Sequence, residues 1–484
     1  MASPPELPSN FMLVAVLCCV ITVIIYGSRK GRMPLPPGPP AKPLLGHLHL
    51  MPSSNASAVF HNWARIYGDV MHLHIPGKSI IILSSHRAAM DLLQAKGSIY
   101  SARPSFLLYE LAGWTNVLTF LTNDDRFNRH RQALHGYLSA ANCVAFQPFQ
   151  LKAARKLAQA MLNTHVGEFD QHINRETGTR RMSAGTPLDF FPFLQYLPTW
   201  FPGAYYAGLA QKMRPIFRKI YDIPIKLVYQ QQKEGIAPPS FLLHHLQLMS
   251  VNKGILSIEE LKGAGATIFA AGKATTASTL MVFLLAMVLN PKVQRKAQEE
   301  LNRVVGHNRL PTFADSASLP YIEAVVQETY RWNTVTPMGV PHVSSAEDTY
   351  QGWKIPSGSL VLVNVRAISR DVDVYQDPDQ FNPDRFLPKP EGLNEPRFSD
   401  AFGYGRRICV GQHLAHSSVW IVIATILATC TITNATDESG NIIVPVPEMS
   451  DGLDSHPHAF QFVVNPRQDT EEVPMLLATE IDEL

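Results

Sequence analysis

"FGYGRRICVG", residues 402–411, is the stretch that decides the fold of this chain of 484 residues. It places Cys409 between two glycines, Gly405 and Gly411, which allow the backbone to approach its surroundings closely. A strong helical pattern begins near the cysteine. We therefore expect backbone N–H groups, the helix dipole and the charges of Arg406 and Arg407 to lower the pKa of the thiol and favour a thiolate.

The chemistry of Cys409 is limited by what stands beside it. A lone cysteine is usually a small buried hydrophobe, and that interpretation suits Cys143 and Cys430. The stretch 402–411 holds no second Cys or His, which disfavours zinc. A single thiolate is a recognised axial ligand of haem iron. The five cysteines, odd in number and sparse, predict reduced thiols in a cytosolic type of compartment.

The loop also carries a family resemblance. Phe402, Gly405, Arg407, Cys409 and Gly411 match, position by position, the haem-binding loop Phe-x-x-Gly-x-Arg-x-Cys-x-Gly of cytochrome P-450 enzymes. The whole chain resembles this family, and within it a fungal group, the O-methylsterigmatocystin oxidoreductase-like enzymes. The resemblance implies a mainly α fold with a small β sheet, preceded by one transmembrane helix. It also implies haem b (iron protoporphyrin IX) as cofactor, with Cys409 as its axial thiolate and metal ligand.

Two more segments follow in the order that the family shows. Glu328 and Arg331 match a Glu-x-x-Arg motif, and their spacing puts both side chains on one helix face. Asn382 to Phe386 resembles a Pro-Glu-Arg-Phe motif, whose arginine is Arg385. Taken alone, Glu328 and Arg331 would be a surface pair. The resemblance implies instead a structural ion-pair triad with Arg385.

The longest helical pattern lies in the middle of the chain. Ser257 and Glu260 form a capping box, and no helix breaker follows before Asn290-Pro291. The pattern predicts a helix over residues 258–289, about 48 Å long at 1.5 Å per residue.

The centre of that helix reads "FAAGKATT", residues 269–276, which resembles the family's oxygen-binding segment. The resemblance implies that Gly272 leaves room over the iron and that Thr275 offers its hydroxyl to dioxygen, with Thr276 beside it. Ala274 stands where the family has an acid, so water held by the two threonines would supply protons. The alternative is that both hydroxyls only bond back to carbonyls four residues earlier.

The resemblance also assigns contacts to the haem propionates. Arg131, His342 and Arg407 would pair with these carboxylates, each such bond being worth about 1.5–3 kcal/mol. The family usually has Trp where this chain has Phe127. Phenylalanine keeps the aromatic ring but lacks the indole N–H donor.

Two features depart from the family pattern. Lys273 neighbours Ala274, but it points about 100° away on the helix and cannot simply replace the acid. Between residues 152 and 193 the chain is shorter than the resemblance predicts, and it reads as polar and turn-rich. A deletion, a splice product and a gene-model error would each give this pattern.

An apolar segment near the N-terminus predicts a membrane anchor. "FMLVAVLCCVITVIIY", residues 11–26, is close to the lower limit of about 17 residues for a spanning helix. Arg29, Lys30 and Arg32 follow it, which favours a cytoplasmic location for everything downstream. A cleaved signal peptide is disfavoured because a basic n-region and a small-residue cleavage site are missing.

These observations divide the chain into four parts on the endoplasmic reticulum membrane. In chain order they are a luminal tail (1–10), a single transmembrane signal anchor (11–27), a basic and proline-rich hinge (28–45) and a cytosolic haem-thiolate catalytic domain (46–484).

The remaining patterns predict one helix-rich domain. Short strands are expected at 70–75, 79–83 and 360–365, and helical patterns cover most of residues 87–335. The balance of 42 basic and 40 acidic residues argues against nucleic acid as a partner. The apolar stretch 106–120 matches the region that lines the substrate pocket in the family. The aromatic stretch 190–206 suits either a membrane interface or ordinary core.

The leading hypothesis is a membrane-anchored haem-thiolate monooxygenase. It would insert one atom of dioxygen into a lipophilic small molecule, with electrons from a separate NADPH-dependent cytochrome P-450 reductase. Such a reductase is expected because the chain contains no flavin or dinucleotide-binding segment. Two alternatives stay open: an oxygen-independent haem-thiolate isomerase or dehydratase, and a non-catalytic haem-binding chain.

Overall fold

The computed structural model describes residues 33–163, 186–467 and Leu477. The predicted tail and anchor lie outside the described residues, as does part of the short region 152–193.

Helices dominate the described part of the chain. Those of ten or more residues are α1 (Ala56–Tyr67), α2 (Asp125–Tyr137), α3 (Gln147–Leu162), α4 (Tyr205–Lys233), α5 (Phe241–Ser250), α6 (Ile258–Leu289), α7 (Pro291–Val304), α8 (Pro320–Trp332) and α9 (Gln412–Thr429). Shorter α-helices span His86–Ala89, Gly97–Tyr100, Leu107–Leu111, Ala140–Cys143, Pro187–Phe190 and Val365–Ser369. The fold class predicted for the globular part, mainly α with little β, is confirmed.

Three small sheets complete the fold. The strands are β1 (Val70–Ile75), β2 (Lys78–Leu83), β3 (His342–Val343), β4 (Asp348–Tyr350), β5 (Trp353–Ile355), β6 (Leu360–Val363), β7 (Cys430–Thr436), β8 (Ile442–Ile443) and β9 (Phe462–Pro466). The largest sheet has the order β1-β2-β6-β3, in which β2 and β6 run parallel with Ile80 opposite Leu360. The others are β4-β5 and β8-β7-β9.

The long central helix has the predicted bounds. The hydroxyl of Ser257 accepts a hydrogen bond from the Glu260 N–H, and the Glu260 carboxylate accepts one from the Ser257 N–H. Within the described residues α6 is the one helix long and apolar enough to cross a membrane, and 61% of its most apolar window is buried inside the protein. Helix α6 is therefore a core helix.

The core lies where α6 meets α9. Helices α3, α7 and α8 pack against α9, and α8 also packs against α6. The C-terminal half of α6 and most of α9 are buried in one large apolar cluster. This arrangement fixes the start of α9 against the centre of α6.

Two predicted boundaries are corrected. The strand predicted over 360–365 ends at Val363, because the Asn364 side chain accepts a hydrogen bond from Ala367 and starts a short helix. Helix α9 begins at Gln412, so Cys409 lies before the helix rather than at its first turn.

Candidate active site: the cysteine loop and the centre of α6

The loop around Cys409 is closed by its own backbone. The Cys409 N–H donates to the carbonyl of Phe402 over 2.8 Å. Gly405 has a φ of +49°, and a Cβ there would lie 2.5 Å from the Leu93 carbonyl oxygen. Only glycine fits this position, because both the conformation and the space exclude a side chain.

The setting of the Cys409 thiol differs from the expectation. Its side chain is open to an internal cavity, and protein atoms surround it on the other sides. Burial raises the pKa of the thiol, and the Gly411 N–H and the charge of Arg131 only partly offset that rise. The predicted lowering of this pKa is wrong for the protein alone, because loss of hydration outweighs the nearby N–H group and cation.

The cavity separates the cysteine loop from the centre of α6. Its volume is about 570 Å³. Three neighbouring elements contribute most of its remaining walls: α2, α3 and α9. The lining is mostly apolar and comprises Leu134, Leu138, Leu157, Met161, Thr267, Ile268, Ala271, Gly272, Lys273, Thr275, Thr276, Ala277, Leu280, Leu284, Cys409, Val410, Gly411, Leu414, Ala415, Ser418 and Ile426.

The centre of α6 contributes the predicted oxygen-binding residues to this cavity. Gly272, Thr275 and Thr276 line it, whereas Ala274 does not. A Cβ on Gly272 would meet no atom within 4 Å, so the glycine leaves space open. The Thr275 hydroxyl donates to the Ala271 carbonyl over 2.7 Å. The alternative of a bond back along the helix is therefore found for Thr275, and its oxygen keeps the capacity to accept a hydrogen bond.

The three predicted propionate ligands lie next to the loop and bond to backbone carbonyls. Arg131 Nη1 donates to Ile408, Arg407 Nε donates to Ser101, and His342 Nδ1 is 2.7 Å from the Tyr100 carbonyl. Both Nη atoms of Arg407 are buried and have no hydrogen-bond partner among the described residues.

Arg103 joins this cationic cluster, and sequence reasoning missed it. Its Nη1 donates to the carbonyls of Val340 and Pro341. Burial, followed by repulsion from Arg407, lowers the pKa of Arg103, and burial followed by repulsion from Arg103 lowers the pKa of His342. No motif marked Arg103, since only the fold brings it close to Arg407.

The cluster and the loop provide a test of whether haem fits. Burial and the neighbouring Arg131 lower the pKa of Arg407. Both effects disfavour the charged guanidinium, and an anion bound beside it would offset them. The unsatisfied Nη atoms of Arg407 are donors of the kind that bind carboxylates. Cys409 lines the cavity, and a cysteine thiolate is a recognised ligand of haem iron. The residues present therefore fit an iron porphyrin with carboxylate substituents.

Phe127, which stands where the family usually has Trp, contacts Arg407 in a way that the sequence did not predict. The guanidinium carbon of Arg407 lies 3.7 Å from the centroid of the Phe127 ring. Phenylalanine thus supports the arginine through its ring face, within the range of a cation–π contact.

The predicted ion-pair triad is present and completely buried. Arg331 Nε lies 2.7 Å from Glu328 Oε2, and Arg385 Nε lies 3.0 Å from Glu328 Oε1. Arg385 also pairs with Glu395 over 2.6 Å, a partner that the sequence motif did not indicate. The surface-pair alternative for Glu328 and Arg331 is wrong, since all three triad side chains have no solvent exposure.

The stretch suggested for the substrate pocket, 106–120, and the stretch suggested for a membrane interface or core, 190–206, have different outcomes. No residue of 106–120 lines the cavity, because this stretch packs against α4, with Trp114 stacked on Tyr221 at 5.3 Å. In the stretch 190–206 Leu194 is buried, whereas Tyr196 and Trp200 are 82% and 80% exposed.

Comparison with known proteins gives one consistent family. A family model described as cytochrome P-450 matches residues 36–168 and 162–445. Cytochrome P-450 monooxygenase 136 of Postia placenta is 34% identical over 522 positions, covering 100% of this chain and 98% of that protein. Cytochrome P-450 monooxygenase ppsD of Aspergillus oryzae is 34% identical over 93% of each chain. Cytochrome P-450 monooxygenase claR of Ampulloclitocybe clavipes is 33% identical, over 96% of this chain and 93% of that protein.

The comparisons also bear on the short region. The family model matches in two pieces that meet at residues 162–168, inside the stretch 152–193. The match is therefore interrupted where the chain departs from the family pattern.

Proposed function

This chain belongs to the cytochrome P-450 family, oxidoreductases that use haem with a thiolate ligand, and from that premise we propose a specific role for it. It is a membrane-anchored monooxygenase that inserts one oxygen atom into a lipophilic small molecule in fungal secondary metabolism. The observation that carries this proposal is the cavity, which sets Cys409 opposite Gly272 and Thr275.

The cysteine, the cations next to its loop and the apolar cavity lining have tasks that their surroundings support. Haem, when bound, supplies the iron chemistry that activates dioxygen. Cys409 Sγ would hold the iron, and its hydrogen bond from the Gly411 N–H would support the thiolate. The guanidinium groups of Arg131 and Arg407, with His342, would hold the porphyrin carboxylates. Apolar side chains exclude bulk water from the reacting side.

Proton handling falls to the threonines of α6. The Thr275 O–H donates to Ala271, so Thr275 Oγ1 accepts a hydrogen bond from a water molecule and positions it. Thr276 lines the same cavity and offers a second hydroxyl. The two threonines take over the role of the acidic side chain that the family has at the position of Ala274, and water carries the protons.

The ligand assignment is tested with Cys409→Ser. We expect the reduced, CO-bound wild type to absorb at the Soret position diagnostic of thiolate ligation, and the variant to lose that absorption. Cys143→Ser is the matched control, because Cys143 is buried among α2 and its neighbours and does not line the cavity. A thiolate spectrum retained by Cys409→Ser would show that another residue holds the iron.

Membrane anchoring is supported by the position of the hinge. Lys354 and His72 donate backbone hydrogen bonds to the carbonyls of Pro34 and Pro37, so the hinge lies against the sheets. Leu44, which follows, is 96% exposed. We infer that residues 11–27 span the endoplasmic reticulum membrane once and that the catalytic domain faces the cytosol.

A separate NADPH-dependent reductase is the proposed electron donor. Arg406 is exposed beside the cysteine loop and offers positive charge to an acidic protein surface. An isomerase or dehydratase that needs no electrons is the second candidate, favoured by Ala274 alone. Turnover of a substrate without NADPH would select that candidate.

A further inference from the structure

A second cavity lies at the N-terminal end of α1. Its volume is about 150 Å³, and none of its described lining residues lines the cavity at Cys409. Four segments form its walls: residues 52–57, which lead into α1, the chain that follows α8, the short helix Val365–Ser369, and residues 449–455. We call it the α1 cavity. A ligand bound there would take no part in the haem site.

Hydrogen bonds between these segments fix the shape of the α1 cavity. The Ser455 N–H donates to the Val335 carbonyl over 2.6 Å, and the Asn55 N–H donates to Asp451 Oδ1 over 2.7 Å. The Arg366 N–H is bonded to a carbonyl of the chain that follows α8. Because the walls are tied to one another, the side chains that line the cavity are held in place before a ligand binds.

Three buried side chains in these walls carry polar groups without partners. Asn333, Ser57 and Ser455 line the cavity and are 5%, 8% and 3% exposed. Asn333 Nδ2 and the hydroxyls of both serines form no hydrogen bond with any described residue. Buried polar groups are nearly always satisfied in folded proteins, so three unsatisfied groups around one cavity indicate a ligand that satisfies them.

The charges around the α1 cavity favour an anion. The guanidinium of Arg366 lines it and forms no hydrogen bond or ion pair with the described residues. Burial lowers the pKa of Arg366, and the charge of Asp379 offsets this only in part. Asp451 is the acidic residue in the described wall, and its Oδ1 already accepts the hydrogen bond from Asn55. The N-terminus of α1, a helix of 12 residues, adds the partial positive charge of its first N–H groups.

We propose that the α1 cavity binds the phosphate group of a phosphate ester. The guanidinium of Arg366 is able to bind two of its oxygens at once, and the Asn333 amide and the hydroxyls of Ser57 and Ser455 donate to the rest. A phosphate monoester has three terminal oxygens for these donors, whereas a carboxylate has two. The ester is the headgroup of a lipid or a soluble metabolite, since both present the same group. The site is independent of the proposed monooxygenase activity.

Isothermal titration calorimetry of the haem-loaded full chain in neutral detergent tests the site. Haem is included because its carboxylates would occupy the arginines near Cys409, which would otherwise bind phosphate themselves. Glycerol 3-phosphate is compared with glycerate, a three-carbon compound that carries a carboxylate in place of the phosphate. We expect glycerol 3-phosphate to bind about tenfold or more tightly, because it accepts more hydrogen bonds.

Two substitutions should change this affinity in opposite directions. Arg366→Met removes a charge-assisted pair and should weaken the binding of glycerol 3-phosphate about 10- to 100-fold. Asp451→Asn removes the negative charge from the wall but keeps the acceptor for Asn55, so it should strengthen binding about threefold or more. A loss of folding would weaken binding in both variants, so opposite signs exclude a merely structural effect. Arg87→Met is the matched control, since Arg87 is 84% exposed and lies outside the cavity, and it should change nothing.

Dihexanoylphosphatidate, which carries the same headgroup on two short acyl chains, identifies the source of the phosphate. Binding that is tighter than that of glycerol 3-phosphate and is abolished by Arg366→Met assigns a lipid headgroup, whereas equal or weaker binding assigns a soluble ester. If Arg366→Met does not fold, Ser455→Ala takes its place and should weaken binding about 2- to 10-fold. Absence of binding by both esters, equal affinities for glycerol 3-phosphate and glycerate, or an affinity that these substitutions leave unchanged overturns the proposal.

Discussion

Arg407 illustrates how single residues prepare the site for an anion. Its guanidinium lies on the ring of Phe127, its Nε is bonded to Ser101, and both Nη atoms stay unsatisfied among the described residues. A buried donor without a partner lowers the stability of the folded protein by about 1–3 kcal/mol. A carboxylate that accepts hydrogen bonds from these Nη atoms would recover this free energy, so the site favours an anion.

Phe127 should therefore matter through its ring. Phe127→Leu removes the cation–π contact and leaves Arg407 less well positioned, so we expect haem to dissociate several-fold faster. The rate is measured by transfer of haem to an excess of apomyoglobin. Phe127→Trp keeps the aromatic face and serves as the control. Equal loss rates for the two variants would show that the ring has no such role.

Cys409 shows what a local pattern captures and what it leaves out. Its prediction as the haem ligand rests on five matching positions in ten residues, and the fold places it at the cavity. The rise of its pKa could not be predicted from the loop, because burial of the thiol depends on residues that are remote in sequence, such as Leu134 in the same cavity wall. Arg103 was not predicted either, because only the fold brings it close to Arg407.

At the scale of elements, one residue at the start of α6, Glu260, both caps the helix and forms an ion pair. Glu260 accepts hydrogen bonds from the Ser257 N–H and from Arg129. Burial alone would raise the pKa of Glu260, but these hydrogen bonds outweigh burial and lower the pKa from 4.5 to about 2. A carboxyl group with a depressed pKa stabilises the fold only while it is ionised.

The stability that Glu260 contributes should depend on pH in a definite direction. It is fully present above a pH of 4.5 and is lost as the pH falls towards about 2. We expect the Tm difference between wild type and Glu260→Gln to be constant near neutrality and to shrink in acid. Thermal unfolding at a series of pH values measures it. A difference that does not change with pH would contradict the assignment.

The triad should behave as a buried unit. Arg385→Met leaves the charge of Glu328 without one of its partners, and breaking a buried pair costs about 3–5 kcal/mol. Urea unfolding of each variant gives the change in free energy. Glu347→Ala is the comparison, because Glu347 is 57% exposed and its partner Lys354 is 29% exposed, and surface pairs of this kind contribute about 0–1 kcal/mol. Similar losses for both variants would refute a special role for burial.

Sequence patterns predicted elements well where local chemistry decides them. Helix α6 followed from its capping box and from Pro291, both of which act within one turn of its ends. The strand over 360–365 was drawn too long, because Asn364 caps a helix that the run of apolar residues concealed. The apolar residues of the stretch 106–120 pack on α4 and do not line the cavity. Composition alone does not show which surface an apolar stretch contacts.

At the scale of the whole molecule, exposed aromatic side chains predict a contact with a membrane surface. Tyr196 and Trp200 lie in one surface segment and are mostly exposed. A chain lacking residues 1–32 should keep residual binding to phosphatidylcholine vesicles, and Tyr196→Ser with Trp200→Ser should weaken it by roughly tenfold or more.

Vesicle flotation measures that binding. The control changes two exposed valines outside the segment to serine, Val372 and Val446, which are 66% and 70% exposed. If the valine variant loses as much binding as the aromatic one, the contact is unspecific.

The parallel pairing of β2 with β6 joins two strands that are made at very different times during synthesis of the chain. Ile80 pairs with Leu360, 280 residues later. At the usual elongation rate of about 5–20 residues per second, the β1–β2 hairpin emerges from the ribosome roughly 15–55 seconds before its third strand is made. During that interval one edge of β2 is unpaired, although its residues Ile80–Leu83 are almost completely buried in the finished protein. Until β6 is made, this edge is open to pairing with other chains, so the nascent chain is prone to aggregate during that interval.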